Sequence, residues 1–358
     1  MPLNSSGPIS LAGTTVGVSI QKELGGTGTT QISLNDAAVR SLAGIASGAI
    51  TMPTNFWGKG VISGTQKGIT AYGSTSSAYL NVNNLISSSG VVAANGTSSG
   101  TARANPAACT YGTDKSIFVY GANNATLYGV RNLVSNTGVF AAEASSAGTA
   151  RSWSCAVSYG TGADVGLVAY GKNLNAYTPT LYTVRNQITN TGVVGTDTSA
   201  PANSSNGGIT AGAMYGGDKA IMIFYNAKFL VSNTGVIGSQ ESAEATRDQG
   251  GVCTYGGDKA IWAYGYISAF SNSKNLISNT GVIASESAGA GTGRLNPCAC
   301  GYGGDKGIFL FGYRNGNPLV IYGIYNTVTN TGDLSSDIVA SGATARYSAN
   351  AAGISLTA

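Results

Sequence analysis

The chain has 358 residues, of which only 9% are charged, against about 25% in ordinary globular domains. Its net charge of +4 comes from 19 basic and 15 acidic residues scattered singly, without the Lys/Arg stripe that phosphate binding requires, so nucleic acid is not an expected partner. There is no histidine, which removes Ser-His-Asp and Cys-His chemistry and His-containing metal sites together, and no run approaches the ~20 apolar residues needed for membrane insertion.

The first sixty residues have their own character. Ser19 can cap a short helix containing Glu23 and Leu24 that stops at Gly25, and Asn35 or Asp36 can cap Ala37 to Ala43 before Gly44. Helices of one or two turns do not stand alone. The opening Met1-Pro2-Leu3-Asn4 lacks the basic start and apolar core of a signal peptide, so a position outside a cell is expected to be reached through an assembly. In order, the segment carries Gly-Pro-Ile-Ser-Leu from Gly7, Glu-Leu-Gly from Glu23, Ile-Ser-Leu-Asn-Asp from Ile32, Val-Arg-x-Leu-Ala-Gly from Val39 and Phe-Trp-Gly-Lys from Phe56. This run resembles an N-terminal module of structural and tail-associated proteins of tailed bacteriophages. The resemblance implies that residues 1–60 are a virion attachment module that binds other virion proteins, with a displayed domain at 61–358. A cap sealing one face of that domain is the alternative.

From residue 61 onward the chain repeats. Tyr111-Gly112-Thr113-Asp114-Lys115 returns as Tyr215-Gly216-Gly217-Asp218-Lys219, Tyr255-Gly256-Gly257-Asp258-Lys259 and Tyr302-Gly303-Gly304-Asp305-Lys306. A second phrase ends in Gly90, Gly138, Gly192, Gly235, Gly281 and Gly332, spaced 43 to 54 residues apart. That period belongs to solenoids, propellers or arrays. In the unit beginning at Arg247, Gly250 to Tyr255 reads as a strand of small residues, Gly256 to Lys259 as a tight turn, and Ala260 to Gly265 as a second, alternating strand. Asn275 to Ser278 reads as a third strand, turned by Asn279-Thr280-Gly281 into a fourth at Val282 to Ser285. Four antiparallel strands per unit make a propeller blade.

The N-terminal unit, Gln66 to Gly73, matches a second strand without its first, and Arg346 to Ile354 is a first strand without its second. Pairing them closes the ring and removes free sheet edges. The expected fold is therefore mainly β, a six-bladed propeller of four-stranded antiparallel blades closed by the C-terminal strand, with a small N-terminal module containing short helices. An arginine, small residues, a turn and Ile-hydrophobic-x-Tyr-Gly resemble the kelch-type propeller repeat, whose second strand likewise ends in glycine.

Five cysteines cannot form a complete intrachain disulfide framework. Cys109, Cys253 and Cys300 lie six residues after a repeat arginine, and Cys155 and Cys298 four after theirs, which places them on one face of the first strand as small, reduced core residues. Asp114, Asp218, Asp258 and Asp305 are read as turn residues. A second acidic series, Glu143, Asp197, Glu286 and Asp337, with Glu241 one place later, precedes the next arginine. A carboxylate leaving one blade opposite Arg151, Arg294 or Arg346 of the next would make an inter-blade clamp, and the set Arg103, Arg151, Arg247, Arg294 and Arg346 is assigned this structural role. A cation or ligand ring around the axis is the competing reading, and the ring is broken in the fourth blade, where Gly207 marks the missing arginine.

No serine or cysteine has a candidate base, so no catalytic site, cofactor or metal is assigned. The second-to-third loops and the blade-to-blade loops share one face and vary in length, and variable loops on a rigid scaffold are where recognition resides. Lys172, Asn173, Asn175 and Tyr177 in one loop, and Tyr313, Arg314, Asn315 and Asn317 in another, are the candidate recognition residues. The leading expectation is a non-enzymatic virion protein in a tail or other external appendage that contacts a host-surface glycan or protein; a homo-oligomer stays open. A purely structural tail or capsid decoration component and a secreted glycan-active enzyme are the alternatives.

Overall fold

The computed structural model describes residues 3–4, 6–15, 17–24, 26–27, 31–43, 48–56, 66–174, 179–203 and 211–354. The chain divides into two compact units between Ser63 and Gly64. Among the described residues no helix is long and apolar enough to cross a membrane.

The N-terminal unit holds helices Ile20–Glu23 and Ala37–Ala43 and the single turn Thr54–Phe56. Ser19 caps the first by accepting from the Lys22 amide at 3.2 Å. Neither helix is long enough to persist alone, and both are fixed by a small core of Leu3, Ile9, Ile20, Val39, Leu42 and Phe56.

The second unit is a six-bladed β-propeller. Blade 2 shows the rule, with strands Ala107–Tyr111, Lys115–Val119, Val130–Val134 and Ala144–Ser145 in sequential antiparallel order. Blade 3 repeats it from Cys155–Tyr159, blade 4 from Ala211–Tyr215, blade 5 from Gly251–Tyr255 and blade 6 from Cys298–Tyr302. Blade 1 takes its first strand from the far end of the chain. Asn350–Ile354 pairs with Lys67–Ala71, in a register running from Lys67 opposite Ile354 to Ala71 opposite Asn350.

First and second strands are almost wholly buried because they form the inner layers of the ring, where apolar area leaves water on both faces. Small residues are needed where blades converge. An added Cβ on Gly166 would lie 2.7 Å from the Cys109 sulfur of the neighbouring blade, and one on Gly307 would lie 2.6 Å from that of Cys253. Each thiol therefore fills the volume that a glycine next door leaves open. All five cysteines are free and buried, and burial pushes the Cys109 thiol up to about 12.

The fourth strand departs from the expected position. The segment after each Asn-Thr-Gly turn makes one bridge to the third strand, Ile277 with Ile283 in blade 5, and the outer strand forms only later as two residues, Glu241–Ser242 in blade 4. The strand expected at Val282 to Ser285 is thus a single bridge. In blade 5 the outer edge is completed by Lys274 with Ser287. In blades 1, 3, 5 and 6 the third-strand asparagine ties the departing backbone, as Asn275 does to Ala284 O at 3.0 Å and Asn186 to Gly195 O at 2.9 Å, but blade 4 makes the same single bridge, Val231 with Ile237, with Phe229 at that place.

The two ends of the ring differ. At one, the glycine of each first turn donates to the neighbouring blade, as Gly112 N does to Asp164 O and Gly256 N to Asp305 O. The turn aspartates hold their own blades together, since Asp114 accepts from Lys115 at 2.8 Å and from Asn136 at 3.0 Å. Gln66 occupies the missing turn of blade 1 and accepts from Gly303 and Gly304. This end is short and uniform. The opposite end carries the second-to-third loops and the blade linkers, including an extra hairpin in blade 6, Tyr313–Arg314 with Val320–Ile321.

Candidate functional site

Five arginines, Arg103, Arg151, Arg247, Arg294 and Arg346, are essentially fully buried where one blade meets the next. Arg151 shows why this is tolerated. Its guanidinium lies 4.4 Å from the ring centroid of Tyr120 in blade 2, donates to Asn186 Oδ1 of blade 3 at 2.6 Å, and sits 3.7 Å from Asp197. Asp197 in turn accepts from the linker, from Thr149 N at 3.0 Å and Thr149 Oγ1 at 2.6 Å. Arg103 repeats the arrangement with Tyr72, Asn132, Thr101 and Glu143, and Arg294 with Tyr264, Asn326, Thr292 and Asp337. A buried charge with this many partners is a fastener between blades. Burial raises the Tyr72 hydroxyl to about 12, against the pull of Arg103.

The pairing corrects the sequence expectation by one blade. Glu143 meets Arg103, not Arg151; Asp197 meets Arg151; Glu286 is 3.9 Å from Arg247; and Asp337 serves Arg294, not Arg346. Each carboxylate lies in the blade that its arginine opens, and for Arg103, Arg151 and Arg294 the inter-blade link is made by the tyrosine of the preceding blade and the linker threonine, whereas Arg247 lies over Trp262 of its own blade. These carboxylates sit beside the outermost strands, so they form no axial ring. Glu241 is an exposed partner of Lys228 at 3.6 Å, and Gly207 lies outside the described residues.

A different ring surrounds the axis. Two residues after each arginine the backbone is left-handed at a residue other than glycine: Asn105 (φ 50), Trp153 (φ 59), Gln249 (φ 55), Asn296 (φ 49) and Ser348 (φ 54). Asparagine accepts this conformation readily, whereas a bulky residue such as tryptophan is strained in it. These residues open the first strands at the variable end. Asn105 N donates to Ser348 O and Asn296 N to Gln249 O, both at 2.8 Å, which stitches neighbouring blades at the rim.

Side chains on and beside this ring join into a platform. Tyr313 stacks on Tyr347 with centroids 4.6 Å apart and donates its hydroxyl to Gln249 Oε1 at 3.1 Å, while Gln249 Nε2 donates to Asp248 Oδ2 at 3.2 Å. Blades 1, 6 and 5 are thereby linked. Arg314 lies 5.1 Å from the ring centroid of Phe270, which meets Tyr266 edge-on at 5.6 Å, and Tyr266 is 41% exposed. In blade 3 the Lys172 ammonium sits 4.0 Å from the Trp153 ring centroid. Burial lowers the Lys172 pKa against the opposing field of Asp248, and burial followed by Tyr347 and Asp248 raises that of Tyr313.

Of the residues singled out from sequence, Lys172, Tyr313 and Arg314 belong to this platform. Asn173 closes its own loop by accepting from the Thr180 amide at 3.0 Å, Asn315 and Asn317 are exposed in the blade 6 hairpin loop, and Asn175 and Tyr177 lie outside the described residues. Sequence reasoning missed Trp153, Asp248, Gln249, Tyr266, Phe270 and Tyr347. A signal for three of them was present: one or two places after the arginine, where the following strand is built of small residues, Trp153, Gln249 and Tyr347 are conspicuously large.

Flat aromatic surface beside amide and hydroxyl groups suits ligands that carry both apolar faces and hydroxyls. Among the described residues no group of three or more His, Cys, Asp or Glu is placed to hold a metal ion. Neither the known protein-family models nor the curated proteins yield a match to this chain.

Proposed function

We propose that this chain is a non-enzymatic virion protein of a tailed bacteriophage, in a tail or other external appendage, whose propeller contacts a host-surface glycan or protein. The observation that carries the recognition part is the platform of Tyr313, Tyr347, Gln249, Tyr266 and Phe270 on the variable end of a rigid ring. The virion part rests on the resemblance of residues 1–60 to an attachment module of phage structural proteins. Together they describe an anchor for other virion proteins and a displayed binding surface.

The test has two arms. Purified protein is incubated with intact bacterial envelopes, and purified particles are probed for the chain by mass spectrometry. Stable binding without release of soluble sugar, together with stoichiometric presence in particles, is the expected result. Presence in particles without envelope binding would make the protein a structural component only, and release of product from polysaccharide would make it a glycan-active enzyme.

A further inference from the structure

At the variable end the blades run on past their sheets into short ladders, each of which sets three residues in a row. In blade 1 Ser74 pairs with Tyr347 on one side and Tyr79 on the other, in blade 5 Tyr266 pairs with Asp248 and Phe270, and in blade 6 Tyr313 pairs with Leu295 and Ile321. Directly opposed residues of an antiparallel pair project on the same face, so each row shows its side chains side by side. The matching rows of blades 2 and 3, Ala104-Ala122-Leu127 and Ser152-Lys172-Leu181, hold no aromatic residue. The aromatic rows therefore fall in three neighbouring blades, and contacts join them. Tyr313 of blade 6 stacks on Tyr347 of blade 1 at 4.6 Å, and Arg314 of blade 6 lies 5.1 Å from the Phe270 ring of blade 5. Tyr79, Tyr313, Tyr347 and Phe270 are half-buried and Tyr266 is exposed. Two of the hydroxyls are tied to amides of a neighbouring blade, Tyr79 donating to Asn124 Oδ1 and Tyr313 to Gln249 Oε1.

We infer that this arc across blades 1, 6 and 5 is a track for a polysaccharide laid lengthwise and contacted at several successive sugars, an inference that rests on the recognition reading above and narrows its ligand class. The spacing favours a chain. Tyr347 and Tyr79 stand two strand spacings apart across Ser74, about 10 Å and so about the run of two linked pyranoses, and the arc continues from Tyr347 to Tyr313 and on to blade 5. The chemistry favours sugars. A pyranose sets a flat C–H face against an aromatic ring and turns its hydroxyls to the side, where the amides of Asn124 and Gln249 offer donors and acceptors. With its hydroxyl held by an amide, a tyrosine keeps one orientation before the ligand arrives, which lowers the cost of ordering it. A protein partner would instead be gripped through anchor side chains buried in pockets; open rings along an arc are steps, and a polymer of flat repeating units matches steps. Arg314 and Asp248 place one charge of each sign beside the rings, so stacking and not net charge sets the grip.

The experiment uses the full chain and bacterial envelopes to which it adsorbs, one portion treated with periodate, which cleaves sugar diols, and another with a protease. Oligosaccharides released from untreated envelopes by mild acid are sorted by size, labelled at the reducing end with a fluorophore, and titrated with protein by fluorescence anisotropy. Adsorption is expected to be lost after periodate and kept after protease, and affinity to rise stepwise as the fragments grow beyond a disaccharide. Tyr79→Ala and Phe270→Ala, at the two ends of the track, should each weaken the longest fragments about tenfold. Tyr79→Phe, which keeps the ring, and Leu181→Ala, in the row of blade 3, should bind as the parent does, with folding of all four variants checked by thermal melts. A monosaccharide that binds as tightly as the longest fragment, binding by no fragment, parental binding by both alanine variants of the track, or adsorption that survives periodate and is lost to protease overturns the inference while leaving recognition in place. Adsorption to no envelope removes the recognition reading and this inference with it.

Discussion

Blades 3 and 4 meet the same structural demand by opposite chemistry. Blade 3 is fastened to its predecessor by Arg151, which links Tyr120 to Asn186 and Asp197. At the corresponding place blade 4 has Phe229 in the third strand where the others carry asparagine, and Tyr170 of blade 3 meets Phe224 and Phe229 at 4.9 and 5.2 Å. The polar fastener has become an aromatic cluster, with Phe224 and Phe229 a further 5.3 Å pair. A closed ring requires each joint to be filled and satisfied; it does not require that the filling be polar. Buried ion networks and well-packed apolar groups of similar volume are close in stability, whereas half of either is costly.

The largest expected effect comes from breaking one network. Arg151→Ala strands Asn186, Asp197 and the Tyr120 hydroxyl without their cation and should cost about 3 to 5 kcal/mol in denaturant melts. Phe229→Ala should cost about as much through the cavity it leaves. Phe229→Asn sharpens the comparison: it restores the side chain used by five blades, yet without an arginine to bond it should be no better than Phe229→Ala. Near-parent stability of Phe229→Asn would show that the joint does not work as a unit.

A smaller effect is expected at the thiol and glycine pairs. Gly166→Ala forces a methyl group against the Cys109 sulfur and should cost about 1 to 3 kcal/mol. Combining it with Cys109→Ala should recover most of that loss. If the double variant is additive in the losses, the two side chains do not share that volume.

Blade 1 offers a gain. Arg346 stacks on Phe311 at 4.1 Å, but Asn95 stands where the other complete joints have a carboxylate, and Arg346 has unpaired nitrogens. Burial accordingly holds the Arg346 pKa down at about 10. Asn95→Asp keeps an acceptor for the Thr344 amide and supplies the missing charge, so it should raise stability by about 1 to 2 kcal/mol. A lower melting temperature would show that this joint is adapted to neutrality.

The smallest effect is the response to pH. Burial raises the carboxyls of Asp197 and Asp337, but bonds from Thr149 and Asn186, and from Thr292 and Asn326, outweigh it, so both lie below 3.8. A depressed carboxyl stabilises the fold fully above its unfolded value and loses that contribution as pH falls toward the folded one. Melting temperatures should therefore be flat between about pH 5 and 8, since no histidine titrates there, and should drop below pH 3.8. Asp197→Asn should make that acid limb shallower.

Much of the ring is legible in the sequence because each unit repeats the same local instructions. The phrase around Gly256-Gly257-Asp258 sets a turn that needs positive φ at both glycines, 61° and 78°, and the incomplete units at Gln66 and Arg346 require each other. The fourth strand is less legible, since the chain after Asn279-Thr280-Gly281 makes a single bridge, Ile277 with Ile283, before it leaves the sheet, and nothing in the residues from Val282 to Ser285 announces this. The joints are half legible. Periodicity identifies Arg151 and Asp197 but not which blade each side chain faces, because that depends on the angle at which the linker enters. The platform is the least legible part: Gln249, Tyr313 and Tyr347 come from three blades and meet only when the ring closes.

Adsorption to bacterial envelopes compared between the two ends of the ring tests the recognition account most directly. Tyr266→Ala and Tyr313→Ala alter the variable end, and Lys259→Ala and Lys306→Ala the uniform one, with folding of all four checked by thermal melts. The account predicts that adsorption falls about tenfold or more for the tyrosine variants and stays at the parental level for the lysine variants. Equal adsorption by all four, or loss confined to the lysine variants, would contradict it.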